Sequence, residues 1–142
     1  MEITYNLPHV FNPSANSEDN AYALRALLDC LTSINLGYLR NHSVPHLYRA
    51  GVVYGRTKLW EPIPAILARG YGDCKSLTPW LLAQYKREGV EARPVFRWIK
   101  NPMTGATDFH ILVERLLPNG TLVFEDPSRV LGMGANENAR PR

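Results

Sequence analysis

Three side chains in this sequence have the types that nucleophilic acyl transfer requires: Cys74, His110 and Asp126. In such chemistry a thiolate attacks an acyl carbonyl, an imidazole moves the proton, and a carboxylate holds the imidazole in the useful tautomer. Cys74 follows Gly70-Tyr71-Gly72-Asp73 and stands at the start of a predicted helix. The glycines permit a sharp turn that leaves the sulfur accessible. The free N–H groups and dipole at a helix start favour a nearby anion, whether a thiolate or the oxyanion of a tetrahedral intermediate.

The elements that must carry these residues follow from pattern. Residues 1–7 suit a short strand, and Asn12 to Asn16 reads as a turn. Ser17 suits a helix N-cap, with Glu18 and Asp19 complementing the dipole. Leu24, Leu27, Leu28, Leu31 and Ile34 then recur at helical spacing to about Tyr38, with Cys30 read as a buried apolar residue of that helix. Ser43 and Pro45 suggest a second helix, while Pro62 and Pro64 are expected to break regular structure. Asp73 is placed to cap the nucleophile helix, Leu77, Trp80, Leu81 and Tyr85 line its core face, and Gly89 ends it.

The period then changes to two. Strands are expected over Ala92–Ile99, Phe109–Glu114 and Thr121–Glu125, with Pro118-Asn119-Gly120 as the hairpin turn. A hairpin centred near residue 119 sets residues near 112 against residues near 126, which makes His110 and Asp126 neighbours. Alternation puts Leu122, Phe124 and Asp126 on one face and Val123 and Glu125 on the other. That favours Asp126 over Glu125 as the group that orients His110, and a bulge would reverse the choice. Helices first and an antiparallel meander second is an α+β plan.

Taken together, Gly70-Tyr71-Gly72-Asp73-Cys74-Lys75, Gly89-Val90-Glu91-Ala92-Arg93, Phe109-His110-Ile111-Leu112-Val113 and Glu125-Asp126-Pro127-Ser128 resemble the core of transglutaminase-like domains, over about residues 68–130. The resemblance implies a papain-like α+β fold, with the nucleophile helix packed on an antiparallel sheet. It implies a Cys74-His110-Asp126 triad and a thioester mechanism without metal or cofactor. Its members include cross-linking enzymes, peptidases, amidases and inactive structural copies, so a peptide or protein substrate and a virion or assembly partner are both within its range. Compact standalone copies resemble proteins of tailed phages and prophages. The family also uses an extra oxyanion donor ahead of the cysteine, for which Tyr38, Tyr54 and Trp60 are the candidates.

Composition bounds the rest. The chain has 142 residues, 45% of them hydrophobic and 20% charged, which suits one globular domain over 1–134 with a flexible tail over 135–142. The formal charge is +3, and Lys and Arg are scattered, a pattern of solvated surface rather than a nucleic-acid footprint. No apolar run reaches the ~18 residues of a membrane span, and the N-terminus shows no secretory pattern, so a cytoplasmic setting with free thiols is expected. Cys30 and Cys74 make no metal-ligand spacing. His42 and His46 have the i,i+4 spacing of a helical zinc pair, but Pro45 intervenes, and a surface role is expected for both. His9 reads as a loop residue. Two rivals to the enzyme remain: a structural or assembly protein retaining the fold, and a metal-binding domain using Cys74, His110 and Asp126 as ligands.

Overall fold

The structure is a computed structural model that describes residues 17–100, 102–105 and 107–134. The expected strand over 1–7, the turn over 12–16, the Ser17 cap with its acidic neighbours, His9 and the tail over 135–142 lie outside the described residues or side chains.

The first helix, α1, spans Ser17–Asn41. Leu24, Leu28, Leu31, Leu36 and Leu39 form its buried stripe. Cys30 is exposed, against the expectation of burial, and Ile34 is 48% exposed. The stripe drifts around the helix at 3.6 residues per turn, and both fall on its outer side. The second helix expected from Ser43 is only a 3-10 turn at Leu47–Arg49, where the His46 ring accepts the Tyr48 N–H and the Gln84 side chain accepts that of Leu47. Residues Val53–Tyr54 form β1. Pro62 and Pro64, expected to break structure, instead start α2 at Ile63–Arg69. Proline at a helix start loses no hydrogen bond and has its φ already set. Gly70 ends α2 at φ 88°, a left-handed conformation that glycine adopts without strain.

A short strand, β2 (Tyr71–Gly72), runs parallel to β1 and leads straight into α3 (Cys74–Glu88). The α3 helix is the centre of the molecule. Leu77, Trp80, Leu81 and Ala83 are fully buried in it, with α1 packed on one side and the main sheet on the other. The two leucines, at about 2 kcal/mol each for full burial, help to fix the helix's rotation and depth. Pro79 lies inside α3 without ending it, and Gly89 closes it at φ 75°.

The main sheet is antiparallel, in the order β3 (Ala92–Lys100), β4 (Thr107–Leu116), β5 (Leu122–Glu125). Pairs Val113 with Glu125 and Leu116 with Leu122 centre the second hairpin at residue 119, as the sequence pattern sets it. A single turn of helix, α4 (Pro127–Val130), follows. The architecture is α+β, with the α3 helix packed on an antiparallel sheet. No helix among the described residues is long and apolar enough to cross a membrane.

Candidate active site

Cys74 is the first residue of α3, half-buried and packed against the core. One turn further on, Thr78 donates its hydroxyl to the Ile111 carbonyl at 3.1 Å. Residues four apart share a helix face. Thr78 therefore pins that face to β4, and Cys74 sits on it beside the strand residue that precedes Ile111, which is His110.

His110 occupies β4, and Asp126 comes directly after β5. One step beyond the last ladder pair, Val113 with Glu125, Asp126 draws level with Leu112, two residues along the strand from His110. Side chains offset in that way share a face and lie within reach of each other. His110 Nε2 lies 2.7 Å from Asp126 Oδ2. A carboxylate only accepts, so Nε2 carries the proton and Nδ1 is the nitrogen left for Cys74. The other Asp126 oxygen, Oδ1, accepts the N–H groups of Ser128 at 3.1 Å and Arg129 at 3.3 Å, capping α4. Each oxygen of this carboxylate thus has a separate task.

These contacts fix the charge states. The His110 pKa is pushed up to about 9, first by the hydrogen bond to Asp126 and next by that to Cys74, with burial opposing. For Asp126, burial is the largest single influence and disfavours the charge. The hydrogen bond and charge of His110, joined by the Arg129 and Ser128 N–H groups, outweigh it and hold the carboxyl below its ordinary value. Near neutral pH the pair is an imidazolium and a carboxylate.

The turn before Cys74 differs from expectation in two ways. Asp73 occupies the N-cap position, but its side chain does not cap the helix. It accepts the Thr57 N–H at 3.0 Å and pairs with Lys75, whose Nζ also donates to the Thr57 carbonyl at 2.5 Å. The first turn of α3 consequently keeps its N–H groups free of any side-chain cap. Gly72 has ordinary backbone angles, and a Cβ there would meet neighbours at normal contact distance, so of the two glycines only Gly70 needs its conformational freedom.

The three candidate oxyanion donors fall in different places. Tyr38 is on α1, stacked on His42 at 4.0 Å between ring centroids. Tyr54 is buried in β1, in register with Gly72 two residues before Cys74. Trp60 stacks at 6.4 Å on Phe109, the neighbour of His110, and Phe109 in turn meets Trp98 edge-on at 6.0 Å. Tyr54 and Trp60 therefore border the cluster. His42 and His46 have local partners: the Tyr38 carbonyl for one, the 3-10 turn for the other. Among the described residues, no group of three His, Cys, Asp or Glu side chains converges as a metal site.

Sequence reasoning missed the supports. Thr57 and Lys75 stitch the loop carrying Trp60 to the Cys74 turn, and nothing in their types marks them beforehand. Glu125, the rival to Asp126, accepts the Tyr85 hydroxyl at 2.5 and 2.6 Å and faces α3. Burial and then that hydrogen bond raise the Tyr85 pKa, so the phenol stays protonated and donating.

No family model and no curated protein matches the chain. Among solved structures it is similar to the periplasmic domain of TgpA from Pseudomonas aeruginosa, in a crystal structure bound to ethylmercury. The TM-score is 0.44 at 17% identity, covering 87% of this chain and 48% of that one, so the chain spans about half the length of that domain.

Proposed function

We infer that this chain is a cysteine-dependent acyl-transfer enzyme of transglutaminase-like type, acting on peptide or protein amides. The observation that carries the reading is the 2.7 Å pair of His110 and Asp126 set beside Cys74, which stands at the uncapped start of α3.

In this reading the proton shared by Cys74 and His110 already rests on His110 Nδ1, and the Cys74 sulfur attacks the amide carbonyl carbon. The C=O electrons move onto oxygen, and the Cys74 backbone N–H donates to that oxyanion with no side chain competing for it. The intermediate collapses with cleavage of the C–N bond. The imidazolium gives its proton to the departing amine, and the acyl group remains on sulfur as a thioester. Water or a second amine then attacks, losing its proton to His110, and the thiol is restored as the C–S bond breaks. Asp126 keeps Nε2 protonated throughout, so Nδ1 is always the nitrogen that exchanges the proton.

Cys30 supplies an internal standard, because it is exposed and on the far helix. Iodoacetamide labelling at neutral pH, read by peptide mass, is expected to modify Cys74 well before Cys30. The preference should vanish in His110→Ala. Equal labelling of the two thiols in the folded protein would refute the activated nucleophile. Release of amine from a fluorogenic peptide amide, lost in Cys74→Ala, would then establish turnover.

A further inference from the structure

The surroundings of His110 bear on the charge of a substrate, provided that Cys74 performs the acyl transfer proposed above. Register places Arg97 of β3 directly opposite His110 of β4. Side chains so paired share a face of the sheet, with Cβ atoms about 5 Å apart. The Arg97 guanidinium carbon lies 5.3 Å from the centre of the Phe124 ring. Phe124 belongs to β5, on the opposite side of β4, and is 60% exposed. The Arg97 side chain therefore reaches across β4, over the face that carries His110 and Asp126. On the α4 side, the Arg129 side chain is 74% exposed and touches Asp126 only at 3.6 Å.

The carboxylates nearby are otherwise engaged among the described side chains. Asp126 is held by His110, Glu125 by Tyr85 and Arg115, and Glu114 by Arg93. In the acyl-transfer reading Cys74 and His110 share one proton and sum to zero charge, which leaves one negative charge on Asp126 against two guanidiniums. The rim is net positive, and it remains so once the sulfur is acylated and His110 has given up its proton. An exposed positive rim raises the local concentration of anions.

We propose that Arg97 and Arg129 select acidic peptides, holding a substrate carboxylate beside the amide that Cys74 attacks. The test uses two small alkylating probes that differ in charge. Iodoacetate and iodoacetamide both form a C–S bond to the thiolate and expel iodide. The ratio of their rates at Cys74 thus cancels any change in thiolate population. In the intact chain the iodoacetate-to-iodoacetamide ratio at Cys74 should exceed that at Cys30, and it should converge on the Cys30 value in about 0.5 M salt, where charges are screened within a few ångströms. In Arg97→Gln/Arg129→Gln it should fall about fivefold, as expected for two charges acting through solvent at short range. Arg97→Lys with Arg129→Lys keeps the charge and should keep most of the ratio. A ratio unchanged in the Gln variants, with Cys74 still labelled ahead of Cys30, overturns the acidic preference and leaves the acyl-transfer reading standing. Failure of Cys74 to outpace Cys30 with iodoacetamide overturns both.

Discussion

Asp126→Asn separates the charge of this residue from its shape. Asparagine caps a helix about as well as aspartate. The bonds from Ser128 and Arg129 N–H to Oδ1 can therefore survive, while the negative charge facing His110 is lost. The His110 pKa stands at about 9 against an ordinary 6.5. At about 1.4 kcal/mol per pKa unit, that displacement corresponds to about 3 kcal/mol. Asp126 is its largest cause and Cys74 the next, so the substitution should remove the greater part but not all of it: about 2 kcal/mol. The sign follows from linkage. A group whose pKa is raised by folding stabilises fully below its unfolded value, here 6.5, and that contribution declines as pH rises through 9. Asp126, whose pKa is lowered from 3.8, stabilises above that value and loses its contribution as pH falls through the still lower folded pKa. The ion pair therefore supports the fold from the weakly acidic range to about pH 9. Two measurements check this. NMR titration of the His110 ring should show its pKa falling by about one to two units in Asp126→Asn, the counterpart of that energy. Urea unfolding should show stability declining between pH 6.5 and 9 in the wild type and a flatter profile in the variant. A wild-type His110 that titrates at its ordinary value, or a variant with the same pH slope, would refute the coupling.

Trp80→Ala empties the centre of the core, where Trp80 is fully buried, and should cost about 3–5 kcal/mol in urea unfolding. Gly89→Ala meets no atom within 4 Å but forces a side chain onto φ 75°, so a loss of about 1 kcal/mol is expected in thermal unfolding, from backbone conformation alone. Lys75→Met leaves the buried Asp73 carboxylate without its ionic partner and should destabilise by about 3 kcal/mol. Adding Asp73→Asn should recover part of that loss, and a fully additive double variant would show that the two side chains are not coupled.

Much of the fold and the site is legible in the sequence because the informative signals are short-range. The hairpin centre at residue 119 follows from Pro118-Asn119-Gly120, and it aligns Asp126 with Leu112 before any contact is known. Gly89 announces the end of α3, and the spacing of Leu77, Trp80, Leu81 and Tyr85 announces its buried face. The failures are of three physical kinds. At Pro62 and Pro64 one residue type has two local uses, and tertiary packing of Ile63 and Ile66 selected the helix start over the break. At Cys30, periodicity gives the helix correctly but not the side on which α3 lies. Asp73 shows a third limit, since its side chain chose Thr57, a partner sixteen residues away, over the amides beside it. The supports at Thr57, Lys75 and Thr78 are invisible for the same reason.

The diverted side chain of Asp73 has a consequence for redesign. A helix start without a side-chain cap forgoes about 1 kcal/mol. Here the same carboxylate also leaves Oδ1 buried without a partner. A stability screen would single out this turn as a defect to be repaired, and a substitution that let residue 73 fold back over the α3 amides would raise the melting temperature. In the acyl-transfer reading it would also bring that side chain over the helix start, against the Cys74 N–H proposed to hold the oxyanion. Variants gaining stability at residue 73 should accordingly be the ones that lose turnover, and thermal tolerance would be a misleading guide to improvement at this position.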